Sequence, residues 1–128
     1  MPHITIEYSA NIDNRINLQD LCEHMRAEAA RIDALPMPGI RVRALKADHY
    51  SIADGDPKHA FIDISVRLRA GRPIDVRKDA ANRLFNAAKA FLEPVLATSS
   101  LALSLEMRDI DPDLSPKTGS IRAHLGIA

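Results

Sequence analysis

Tryptophan is absent from this chain of 128 residues, and cysteine occurs once, as Cys22. A lone thiol cannot close an internal disulfide. That excludes the disulfide-stapled architectures of small secreted domains and suits a reducing, cytoplasmic setting. Neither sign of charge is in excess, because 17 Lys and Arg are matched by 17 Asp and Glu. The general electrostatic argument for a nucleic-acid partner or an anionic membrane surface is therefore missing. No apolar run reaches the ~18 residues of a membrane span and no signal-peptide pattern is present, so neither a span nor secretion is expected. The familiar catalytic signatures are missing too: no HExxH, CxxC, P-loop, GxGxxG or Ser-x-Gly elbow occurs. The histidines at 3, 24, 49, 59 and 124 lack ligand spacing, so no metal site is expected.

What is present is the material of a single domain spanning residues 1–128. With 46% apolar and 27% charged residues, the chain has enough apolar side chains for a core and is not of disordered composition. Residues 3–8 alternate, with Ile4, Ile6 and Tyr8 on one face and Thr5 and Glu7 on the other, which predicts a half-buried strand. Asn17 is placed to cap a helix over about 18–34, whose stripe is Leu18, Leu21, Cys22, Met25, Ala29 and Ile32. Cys22 lies on that stripe and reads as core, whereas His24 reads as a surface or edge residue. Pro36-Met37-Pro38-Gly39 stops the helix, and residues 40–45 predict a second strand with Arg41 and Arg43 on one face.

The same order then recurs. Residues 61–68 predict a strand with Ile62, Ile64, Val66 and Leu68 on one side. Ala70-Gly71-Arg72-Pro73 breaks it, and a helix follows from about 74 to the mid-90s, kinked or ended by Pro94. Leu101, Leu103, Leu105 and Met107 then alternate as a fourth strand. The halves, about 2–58 and 59–110, each read as one βαβ unit, with a tail over 111–128. The fold class is therefore α+β: a four-stranded mixed sheet with both helices on one face. The other face carries Thr5, Glu7, Arg41, Arg43, Asp63, Ser65, Arg67, Ser104, Glu106 and Arg108, a mixture of signs that suits either solvent or paired contacts with other subunits.

Two features suggest chemistry. Met followed by Pro favours removal of the initiator, which would leave Pro2 as a secondary amine. Such a group titrates near pH ~8 in a free chain and lower beside cations, the range wanted of a base that abstracts a proton. With Met1 retained, Pro2 is an internal amide and has no such role. The second feature is arginine at element ends: Arg41 and Arg43 after the Pro-Gly break, and Arg72 in its loop. Arginine there can hold carboxylates in bidentate fashion without losing its charge. Any one of them, taken singly, reads as a solvated surface residue.

The opening Met-Pro-His-Ile-Thr-Ile-Glu-Tyr-Ser-Ala-Asn resembles the N-terminus of 5-carboxymethyl-2-hydroxymuconate isomerases, members of the tautomerase superfamily. So do Gly39-Ile40-Arg41-Val42-Arg43, Ala53-Asp54-Gly55, Ala70-Gly71-Arg72 and Leu101-Ala102-Leu103-Ser104-Leu105-Glu106, all in the same order. The resemblance implies a homotrimer assembled through the sheet face opposite the helices. It implies Pro2 as the proton shuttle, with Arg41 and Arg72 binding substrate carboxylates or stabilising a dienolate oxygen. Arg43 is a further candidate for the site, and Phe61 a candidate wall of the pocket. The implied substrate is a small dicarboxylate or tricarboxylate dienol, converted from a 2-hydroxy-2,4-dienoate to a 2-oxo-3-enoate in homoprotocatechuate catabolism. No cofactor is implied, since the 2-oxo acid is its own electron sink. Two alternatives share the fold: another superfamily activity (a 4-oxalocrotonate-type tautomerase, decarboxylase or dehalogenase) and a non-catalytic trimeric binding module.

Overall fold

An antiparallel pair of apolar strands forms the centre of the molecule. In the computed structural model, which describes residues 1–127, β1 (His3–Ser9) runs against β3 (Ala60–Arg69), with Ile6 opposite Ile64. Each central strand has a parallel partner on its outer edge: β2 (Arg41–Ala47) beside β1, and β4 (Leu101–Ile110) beside β3. The sheet order is β2-β1-β3-β4. Between the parallel partners run α1 (Leu18–Ala30) and α2 (Ile74–Phe91), as a crossover requires. The two halves are thus one βαβ design used twice about the central pair, and the predicted sheet with helices on one face is what forms.

The core lies between that face and the helices. Ile4 and Ile6 from β1 and Ile62, Ile64 and Val66 from β3 are fully buried against Leu21 and Met25 of α1 and Leu84 and Ala88 of α2. The edge strands pack their apolar residues (Val42, Leu103, Leu105) against it less completely. Cutting Ile64 to alanine removes a buried branched side chain at the centre of this layer. It is expected to cost about 2–5 kcal/mol, read as a lowered urea midpoint.

Several boundaries differ from the sequence reading for identifiable reasons. The first helix ends at Ala30, not at 34, although Asn17 does cap it by accepting from Asp20 N–H at 3.0 Å. Ile32 and Leu35 continue its apolar face through successive tight turns (Ile32 N–H to Ala29 O, Leu35 N–H to Ile32 O). The second helix is two pieces, because Pro94 starts a new one: α2 stops at Phe91, and α3 (Glu93–Thr98) follows. β4 runs on to Ile110, whose carbonyl accepts from Ala70 N–H at 3.1 Å. Beyond it the tail is ordered into a 3₁₀ turn (Pro112–Leu114) and a short helix α4 (Ile121–His124). Cys22 is buried, and burial pushes its thiol pKa up. His24 meets Ala87 O at 2.9 Å and tilts against Phe91. No helix among the described residues is long and apolar enough to cross a membrane.

Candidate active site

The chain begins at one end of the central strand, and the site forms around that beginning. Pro2 is buried, and its carbonyl accepts from Arg41 N–H at 3.1 Å, which ties the first residues to the start of β2. Gly39, in the 3₁₀ turn just before β2, passes directly beneath Met1. A Cβ built on Gly39 would lie 1.8 Å from the Met1 nitrogen but 3.6 Å from Pro2 Cδ. The missing side chain is therefore what admits Met1, and an alanine there would conflict with Met1 and not with Pro2.

Three clefts meet at Met1. One of about 380 Å³ opens over Gly39 and is walled by Arg41, Lys117 and Arg122. A second of about 260 Å³ reaches Pro2 and is bounded by Leu68, Arg69 and Arg72. A third, about 60 Å³, lies towards Ser115. Met1 and Lys117 border all three, so Met1 stands as a partition in what is otherwise a shared space.

The surroundings of the N-terminal nitrogen are cationic. Its pKa lies below the ordinary value of 8.0, first because burial removes water from the ammonium, then because Lys117, Arg41, Arg72 and Arg122 repel it. Arg72 is fixed by the loop that presents it. Gly71, at a φ of +121° that side-chain-bearing residues rarely adopt, turns the chain out of β3. The Arg72 guanidinium then donates from Nε to Ala34 O at 2.7 Å and from Nη1 to Arg69 O at 3.0 Å. Arg41 Nη1 donates to Gly39 O at 3.3 Å. Both side chains are thereby aimed, with donors left over for a ligand. No group of three His, Cys, Asp or Glu side chains among the described residues is arranged to hold a metal.

Of the residues picked from sequence, Pro2, Arg41 and Arg72 come together. Arg43 does not line any of the three clefts. One pleat further along β2, on the open face of the sheet, its Nη1 sits 3.3 Å from His3 Nδ1. That ring's pKa is lowered by burial and by Arg67, Arg43 and Arg41. Phe61 is a correction: within this chain it cannot wall the pocket. β3 runs antiparallel to β1, so Phe61 starts β3 beside the far end of β1, its N–H donating to Ser9 Oγ at 2.9 Å. At ~3.3 Å per residue this is roughly 20 Å from Pro2. Three cations were missed: Arg69, Lys117 and Arg122. A signal for the last two existed, since no acidic residue follows Asp113 while Lys117 and Arg122 do.

Comparison with known proteins shows the family of the chain. The family model described as 5-carboxymethyl-2-hydroxymuconate isomerase matches residues 2–125. The chain belongs to that family. A 5-carboxymethyl-2-hydroxymuconate Delta-isomerase of Escherichia coli is 30% identical over 123 residues, covering 96% of this chain and 98% of the relative. A crystal structure of a 5-carboxymethyl-2-hydroxymuconate isomerase from Deinococcus radiodurans R1 superposes with a TM-score of 0.88 at 29% identity, covering 97% of this chain and 93% of that one. A native fused 4-OT, 20% identical with a TM-score of 0.68 and covering 97% and 98% of the two chains, shares the fold. The family member described here is thus a tautomerase-superfamily isomerase.

Proposed function

We propose that this isomerase, trimmed of Met1, converts 5-carboxymethyl-2-hydroxymuconate to its 2-oxo-3-enoate isomer, with the Pro2 amine carrying the proton. The neutral amine takes the proton of the 2-hydroxyl group, leaving a dienolate. The resulting ammonium returns that proton to C5, and the double bond comes to rest between C3 and C4. Moving a proton in this way needs a base that also serves as acid, and positive charge where the enolate develops. Arg41 and Arg72 supply that charge and hold the adjoining carboxylate.

The observation that carries the reading is the placing of buried Pro2 on a cleft lined by Arg69, Arg72, Lys117 and Arg122, with Arg41 tied to its carbonyl. The Met1 amine, which now lies among Lys117, Arg41, Arg72 and Arg122, has its pKa lowered by burial and then by these cations, and a Pro2 amine exposed by trimming would meet the same charges. The reading places the enzyme in homoprotocatechuate catabolism and has the chain, as one domain, assemble as a homotrimer. The charged open sheet face and the exposed Leu114, Ile121 and Leu125 of the tail suit burial against further copies. An ultraviolet assay following loss of the dienol tests the reaction, with 2-hydroxymuconate run in parallel. Faster turnover of the carboxymethyl compound is expected; turnover of neither compound overturns the assignment.

A further inference from the structure

Two of the cations at the site are supplied by the tail, and beyond their repulsion of the amine's charge neither has been given a substrate group to hold. Lys117 borders every cleft around Met1, and Arg122, from α4, borders the two larger ones. Both are exposed, and among the described residues neither has a carboxylate within ion-pair distance. They line the larger cleft together with Gly39 and Arg41.

Met1 itself marks the direction of approach. Its carbonyl carbon is bonded to the Pro2 nitrogen, so its atoms lead away from the position the amine's lone pair takes once Met1 is gone. That path crosses the hollow over Gly39, where the Met1 nitrogen now lies, and opens into the cleft walled by residues 117–122. A substrate whose reacting end meets Pro2 and Arg72 therefore extends its other end into the larger cleft, which Lys117 and Arg122 line as they line the one at Pro2. On the function proposed above, that other end carries two carboxylates in the branched substrate, one of them on the carboxymethyl arm. The unbranched 2-hydroxymuconate carries one.

We infer that Lys117 and Arg122 bind the pair of carboxylates remote from Pro2, which makes the segment after β4 the determinant of preference for the branched tricarboxylate over the unbranched dicarboxylate. This rests on the proposed reaction for its substrates, but the charge matching itself concerns binding and can be tested apart from turnover. Two cations facing two carboxylates form charge-assisted hydrogen bonds, whereas the dicarboxylate leaves one cation without a partner.

The test uses trimmed protein carrying Lys117→Gln, Arg122→Gln or both, with kcat/KM measured on the two dienols. The ratio favouring the branched substrate should fall by about tenfold for each substitution, the fold-change of one lost charge-assisted bond. Lys117→Arg and Arg122→Lys keep the charge and should restore most of the ratio, which separates loss of charge from a disturbed tail. A ratio within about twofold of the parent in the double variant overturns the inference. The second readout is calorimetric binding of propane-1,2,3-tricarboxylate against glutarate. The parent should hold the tricarboxylate more tightly and the double variant should lose the difference; equal binding by the parent overturns the inference. A parent that discriminates in binding yet turns over neither dienol sinks the proposed reaction and leaves the role of the two tail cations standing.

Discussion

A preparation that keeps Met1 is expected to turn over the dienol at least a hundredfold more slowly than the trimmed enzyme. The reason lies in the nitrogen. In the retained form Pro2 is an amide whose lone pair is delocalised into its carbonyl, so the base is missing and not merely weakened; general acid–base catalysis of this kind contributes about 10²–10⁴-fold. The loss is also steric, because Met1 fills the hollow over Gly39 and divides the space a substrate needs. Intact-protein mass spectrometry beside the ultraviolet assay checks it, and full activity with Met1 in place would rule out the amine. Pro2→Ala, which still leaves an amine after trimming but one free to rotate, should lose most turnover while its melting temperature stays close to that of the parent.

Arg72→Ala should lower kcat/KM by about 10²–10³-fold, the usual consequence of removing a preorganised donor from a developing oxyanion. The rate should also change its pH dependence. Arg72 is among the charges that lower the pKa of the Met1 amine, and it lines the same cleft as Pro2, so deleting it should relieve the Pro2 ammonium of the trimmed enzyme and raise its pKa. The rise of activity with pH, which follows deprotonation of the base, then moves to higher pH. Because Arg72 also satisfies the carbonyls of Ala34 and Arg69, the alanine variant carries a stability cost of about 1–3 kcal/mol. Arg72→Lys separates the effects: it keeps the positive charge and so the pH profile, but not the forked geometry. A pH profile unchanged in Arg72→Ala would mean that the base titrating in the assay lies elsewhere.

The fold was legible in the sequence because its signals are local. Alternation at Ile4-Ile6-Tyr8 and at Ile62-Ile64-Val66, the cap at Asn17 and the break at Pro94 each act within a few residues. The site was legible only where it is also local, at the chain start and in the loops before Arg41 and Arg72. Arg43 and Arg41 look alike in sequence, yet one pleat along β2 puts the first beside His3 and leaves only the second at the cleft. Phe61 could not be placed until the antiparallel pairing of β1 and β3 was known, since that pairing sends it to the other end of the sheet. Lys117 and Arg122 reach Met1 through the path of a tail whose course depends on tertiary contacts, and its apolar residues drew attention away from its charge.

The duplicated design has a consequence for stoichiometry. With the pleat matched, Phe61 opposite Ala102 takes the place in the second half that His3 opposite Arg41 takes in the first, since buried Ala60 and Ile62 flank Phe61 as buried Pro2 and Ile4 flank His3. The residue matching Pro2 is then Ala60, whose nitrogen is locked in the middle of the polypeptide, and the residue matching Arg41 is apolar Ala102. On the proposed reaction one half does the chemistry while its twin serves as scaffold, and a covalent label directed at reactive amines should saturate the catalytic centre at one equivalent per chain, not two.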